Sequence, residues 1–104
     1  MAETDLLIHA DGVVITGEVK TSNALHTSGK ERVKAARKRA LWADVLRADE
    51  IVLATTHESW APSSVQAMID ALAAYAWTTP AHQPRLRLLE GIGSTSVMST
   101  YVAY

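Results

Sequence analysis

The chain has 104 residues, 48% of them hydrophobic and 20% charged, with five glycines, three prolines and a formal net charge of -1. These values fit one small globular domain of modest stability and exclude a disordered or fibrous chain. With no cysteine, disulfides and thiolate zinc sites are excluded, and any metal must be held by carboxylates, histidines or backbone oxygens.

The first element is a hairpin. Residues 5–10 and 13–20, within "DLLIHADGVVITGEVK", are apolar and β-branched runs separated by Asp11-Gly12, a pair whose tolerance of positive φ makes it a strong two-residue turn signal. Ser28 and Glu31 form an S-x-x-E capping box, which predicts a helix from there to about Arg47 with Val33, Ala36, Ala40, Leu41 and Val45 facing inward. "IVLATT", residues 51–56, is short and nearly all apolar, the pattern of a strand buried on both faces. Pro62 and a second box, Ser63 and Gln66, predict another helix with Val65, Met68, Ile69, Leu72 and Ala76 on its inner stripe. "RLRLLE", residues 85–90, reads as a strand, and residues 94–104 as a further edge strand or a loose tail.

The order β-β-α-β-α-β predicts a single α/β domain, residues 1–104, whose mixed sheet begins with a hairpin. The connection between residues 20 and 51 is long enough for a helical crossover, which would set "IVLATT" parallel to the second strand. No apolar run approaches the roughly 18 residues of a membrane span, and "MAETDLLIHADG" lacks the character of a signal peptide. A cytoplasmic protein without a membrane partner is expected.

Charges inside the hairpin pose the functional question. With Asp11 and Gly12 as the loop, opposed positions sum to 23, so Asp5 faces Glu18 and Glu3 faces Lys20. Directly opposed like charges destabilise a strand pair. Alternation places Glu3, Asp5, Glu18 and Lys20 on one face, leaving Leu6, Ile8, Ala10, Val13, Ile15, Gly17 and Val19 as the expected core face. Lys20 could simply bridge acids in a surface network worth about 0–1 kcal/mol. Alternatively, Mg²⁺ seeks one or two carboxylates with waters and a substrate phosphate, which this arrangement supplies. Lys20, roughly 6–7 Å along the strand from Glu18, could then reach a water or a phosphate oxygen.

These residues resemble the PD-(D/E)xK nuclease superfamily, the restriction-endonuclease-like phosphodiesterases. The aspartate strand "TDLLI", the turn "ADG" and the E-x-K strand "VVITGEVK" carry the likeness, which extends over residues 3–56 through "KTSN", a capped helix and "IVLATT". The resemblance implies a restriction-endonuclease-like core in which Asp5, Glu18 and the main-chain carbonyl of Val19 bind Mg²⁺ or Mn²⁺. Lys20 would orient or activate the attacking water, or steady charge on the phosphate. The implied activity is hydrolysis of phosphodiester bonds in nucleic acid, DNA first, with Asp5, Glu18 and Lys20 catalytic and Glu3 auxiliary. The family core usually begins with a helix and strand ahead of the aspartate strand. Only four residues precede Asp5, so an N-terminally incomplete core is expected, completed by a homo-oligomer or partner chain, or else retained as a non-catalytic nucleic-acid-binding or subunit-association module.

Six of the ten basic residues lie in "KERVKAARKR", residues 30–39. Ser28, Lys30 and Lys34, at the helix start beside the carboxylates, are the expected nucleic-acid contacts, since a helix N-terminus favours phosphate. Arg37, Lys38 and Arg39 are expected on a solvated face. His26 shares the end of the sheet with the carboxylates, and His57, Glu58 and Trp60 follow the buried strand on the rim where open α/β sheets place ligands. His9 is about 13 Å from Asp5 along the strand and cannot join the same metal. Trp42, Tyr75 and Trp77 are expected to be packing or partly exposed residues rather than base-stacking platforms, and no nucleophile elbow marks a Ser-His-Asp enzyme.

Overall fold

The Asp11-Gly12 turn closes a hairpin because both residues take the left-handed conformation, with φ of 53° and 77°, and such a turn matches the natural twist of paired strands. In the computed structural model, which describes residues 3–104 and side chains from Asp5 onward, β1 (Glu3–Ala10) and β2 (Val13–Lys20) pair antiparallel with Asp5 opposite Glu18 and Glu3 opposite Lys20. The chain continues through α1 (Gly29–Val45), β3 (Glu50–Thr55), α2 (Pro62–Ala74), β4 (Arg85–Glu90) and β5 (Met98–Val102). The result is one α/β domain with a five-stranded mixed sheet in the order β1-β2-β3-β4-β5. β2, β3 and β4 run parallel, and the outer pairings are antiparallel. The C-terminal segment thus supplies an edge strand, one of the two outcomes expected for it.

Successive right-handed crossovers in one direction along a sheet put both helices on the same face. Ala36, Ala40 and Ala43 of α1 and Met68 and Leu72 of α2 join Ile51, Leu53, Leu86 and Leu88 in one core. All residues from Ile51 to Thr55 are buried, as expected for the central strand.

Two expectations about inner faces are corrected. The hairpin face turned toward the helices is the charged one: Thr16, Glu18 and Lys20 are buried, whereas Ile8 and Val13 are exposed and Ile15 and Val19 only half-buried. Register decides this, because Thr16 and Glu18 lie beside Ile51 and Leu53, whose side chains meet the helices. On α1, Val33, Leu41 and Val45 are exposed, and the buried stripe is Ala36, Arg39, Ala40 and Ala43. Alanines at i, i+4 and i+7 let the helix lie close to its neighbours.

Helix starts also differ. Ser28 caps α1 as expected, accepting the Glu31 N–H at 3.4 Å. The Ser63 box does not form: α2 begins at Pro62 after an extended Ala61, so Ser63 falls inside the first turn, where the fixed φ of proline suits the first helical position. Gln66 donates instead to Asp70 at 2.9 Å. Ala76 lies beyond the end of α2.

Candidate functional site

The antiparallel register fixes Asp5 and Glu18 side by side, and the long helix α1 supplies what lies between them. Arg39 projects from the alanine stripe onto the hairpin, with a side chain only 3% exposed. Its Nη2 is 3.5 Å from Asp5 Oδ1, its Nε is 3.2 Å from Glu18 Oε1, and its Nη1 donates to the Gly17 carbonyl at 2.8 Å. The Nε contact lacks the alignment of a hydrogen bond, so it is electrostatic in character.

Glu18 is 7% and Lys20 4% exposed, with Lys20 Nζ 3.8 Å from Glu18 Oε2. Lys20 also donates to the Leu25 carbonyl. That contact fastens the loop after β2, which is tied further by the Leu25 N–H to Ser64 Oγ at 3.0 Å and by Thr55 Oγ1 to the Ser22 carbonyl at 2.6 Å. Lys20 is therefore presented on a braced backbone, against a buried acid.

Asp5 is the outward member, 66% exposed. Together with Leu7, Thr16, Lys38, Arg39 and Trp42 it lines a hollow of about 300 Å³ between β1 and α1. The cluster thus has a buried end, Glu18 and Lys20, and an end open to solvent, Asp5. Buried charges are costly unless paired, and here each has an opposite charge nearby.

Gly17, between Thr16 and Glu18, is required by space rather than by φ. A Cβ at this position would lie 1.8 Å from the Val52 carbonyl oxygen. The close approach of β3 to β2 at this point sets the strand positions from which Glu18 projects.

The structure brings together Asp5, Glu18 and Lys20 and adds Arg39 and Lys38; of these two, both expected on a solvated face, Lys38 is exposed and Arg39 is not. Burial of Arg39 is a correction, and its sequence signal is its position inside the stripe Ala36-Ala40-Ala43. Val19 pairs with Thr4 and Ala54 next to the cluster. Glu3 pairs through its backbone with Lys20, and its side chain lies outside the described residues.

The other candidates stand apart from this cluster. Ser28 is engaged as a helix cap, His26 accepts the Ser28 N–H on Nδ1 at 3.2 Å, and Lys34 lies 3.7 Å from Glu31. Lys30 is exposed, and none of these lines the hollow. Trp60 is buried, donating its indole N–H to the Leu53 carbonyl at 3.0 Å and its backbone N–H to Glu90 at 2.6 Å. His57 is exposed, with its carbonyl accepting the Gly91 N–H. Glu58 borders a different hollow with Thr56, Gly91 and Ser96.

As a metal site, Asp5 and Glu18 provide the one or two carboxylates that Mg²⁺ needs beside its waters. Among the described residues, no three His, Cys, Asp or Glu side chains gather as a ligand set. Carboxylates are the donor type that a hard cation takes, and both of these are in contact with Arg39. Comparison with family models, curated proteins and solved structures finds no match to the chain.

Proposed function

We propose that this domain is a divalent-metal-dependent phosphodiesterase acting on DNA, with a restriction-endonuclease-like core. The observation that carries this reading is the opposition of Asp5 and Glu18 with Lys20 two residues further on, all on the helix-covered face beside an open hollow. Two of these charged side chains, Glu18 and Lys20, are buried against an apolar core, which costs stability, and such local conflicts are expected where function requires them.

In this reading Asp5 and Glu18, with the Val19 carbonyl, would hold Mg²⁺ or Mn²⁺, which would lower the pKa of a bound water and neutralise charge developing on the phosphate. Asp5, which faces solvent, would be the entry ligand and the buried Glu18 the anchored one. The Lys20 ammonium orients the attacking water or donates to a phosphate oxygen. The water oxygen would bond to phosphorus and release a proton to solvent, the P–O bond to the departing nucleotide oxygen would break with its electron pair leaving on that oxygen, and that oxygen would take up a proton from solvent. Arg39 draws the two carboxylates together, and Lys38, on the wall of the hollow, attracts the phosphate backbone. The decisive experiment is cleavage of plasmid and oligonucleotide DNA with Mg²⁺ or Mn²⁺ by the wild type, Glu18→Ala and Lys20→Ala.

One observation favours a second reading, that of a non-catalytic nucleic-acid-binding or association module. Arg39 lies between the carboxylates and Lys20 donates to the Leu25 carbonyl, contacts that also suit a purely structural network. Calorimetry separates the two. Carboxylate-dependent binding of Mg²⁺ belongs to the phosphodiesterase, whereas DNA affinity without metal binding belongs to the module.

A further inference from the structure

β1 forms one edge of the sheet, and the turn determines which of its backbone groups face outward. A two-residue loop makes Ala10 and Val13 a hydrogen-bonded pair, and such pairs alternate along an antiparallel ladder. Residues 10, 8, 6 and 4 therefore bond to β2. The same phase appears across β2, whose Val14 and Lys20 carbonyls accept from Asp49 and Thr56 on the β3 side. The N–H and C=O groups of Asp5, Leu7 and His9 consequently point away from the sheet.

From Asp5 to Ala10 this edge carries neither proline nor lysine, the usual protections against strand addition. Leu7 is 61% exposed, and Trp42 and Leu46 of the α1 segment flank it along the hollow. The edge is thus apolar at its centre, with a carboxylate at one end and an imidazole at the other.

We propose that β1 is the dimer interface of this chain, pairing antiparallel with β1 of a second copy so that two five-stranded sheets become one. The hydrogen-bond phase allows only registers in which odd residues oppose odd residues. Of these, the register summing to 14 sets Leu7 against Leu7 on the two-fold axis, Leu6 against the partner's Ile8, and Asp5 against the partner's His9. Each of the three outward pairs exchanges both main-chain bonds, and the acid–imidazole pair occurs twice by symmetry. The neighbouring register summing to 12 sets Asp5 against leucine and forgoes the carboxylate–imidazole pair. A second copy is the occupant because the strand is complementary to itself in this register, as a two-fold interface demands.

One consequence concerns the carboxylate site, although the dimer does not rest on the phosphodiesterase reading. A chain's own His9 is too far along the strand to reach Asp5, whereas the partner's His9 lies directly across from it, about 5.5 Å away between Cα atoms. The second subunit therefore adds an imidazole beside Asp5.

Sedimentation and cysteine cross-linking test the interface, helped by the absence of native cysteine. The wild type is expected at twice the 11.3 kDa chain mass. Leu7→Lys, which sets two ammonium groups against each other on the axis, should weaken the dimer by at least about tenfold. Leu7→Cys should oxidise to a covalent dimer, since Cα atoms about 5.5 Å apart suit a disulfide, while Leu6→Cys should not. A wild type that stays monomeric, a dimer indifferent to Leu7→Lys, or cross-linking through Leu6→Cys in preference to Leu7→Cys would each overturn the proposal. DNA cleavage is scored separately, so failure of the interface and failure of the phosphodiesterase reading are distinguishable.

Discussion

Arg39 holds two carboxylates that would otherwise repel each other, and its loss should expose what they are for. Arg39→Met leaves Glu18 buried with less opposing charge, a change expected to cost about 3–5 kcal/mol, measured by urea denaturation. If Asp5 and Glu18 take Mg²⁺, removing the guanidinium frees oxygens for the ion. Added Mg²⁺ should then restore part of the lost stability in Arg39→Met, through binding to the folded state alone, but none in the double variant with Glu18→Ala. Equal indifference to Mg²⁺ in both variants would assign Arg39 a structural role. Gly17 offers a sharper steric test. A Cβ there would meet the Val52 carbonyl oxygen at 1.8 Å, so Gly17→Ala must push β2 from β3 and should lose at least about 2 kcal/mol. A wild-type urea midpoint would contradict the tight approach.

At the scale of elements, α1 is joined to the chain following α2 through Asp44. That carboxylate accepts the Thr78 hydroxyl at 2.8 Å, the Tyr75 phenol at 2.8 Å and the Thr78 N–H at 3.1 Å. The Thr78 hydroxyl does most to hold the Asp44 pKa below its ordinary 3.8, against the opposing effect of burial, while Asp44 in turn raises the Tyr75 pKa above 10.0. A depressed acid stabilises the fold fully above its ordinary pKa and ceases to do so as pH falls through the lowered value. The wild type should therefore lose more stability than Asp44→Asn between about pH 5 and pH 2; parallel urea midpoints across that range would remove Asp44 from the account of acid sensitivity. The elements were largely legible in advance. Asp11-Gly12 dictates the hairpin register locally, and Ser28 marks the start of α1. Which faces turn inward was less legible. Period-2 alternation defines two faces of the hairpin but not the one that a distant helix covers. On α1 the inward positions of Ala36 and Ala40 are legible in the sequence, but grouping the larger Val33, Leu41 and Val45 with them turns the expected stripe away from Arg39 and Ala43, which are buried.

The whole molecule is a twisted sheet with both helices on one side, its carboxylate cluster under α1 near one edge and a hollow leading to it. Among the described residues, no helix is long and apolar enough to cross a membrane. The opposite sheet face is held by cross-strand contacts instead. Glu50 accepts from Arg87 at 2.6 Å and from Tyr101 at 2.8 Å, and Arg85 lies 3.7 Å over the Tyr101 ring. These contacts tie β3, β4 and β5 together far from β1, so substitutions in the cluster should leave that half folded, and retained circular dichroism would verify this. The central proposal is that the hairpin charges hydrolyse DNA, and the most direct measurement is plasmid and oligonucleotide cleavage by the folded protein with Mg²⁺ or Mn²⁺. The prediction is metal-dependent cutting by the wild type that falls at least about a hundredfold in Glu18→Ala and Lys20→Ala. No metal-dependent cleavage by the folded wild type, or cleavage unchanged in both variants, would contradict it.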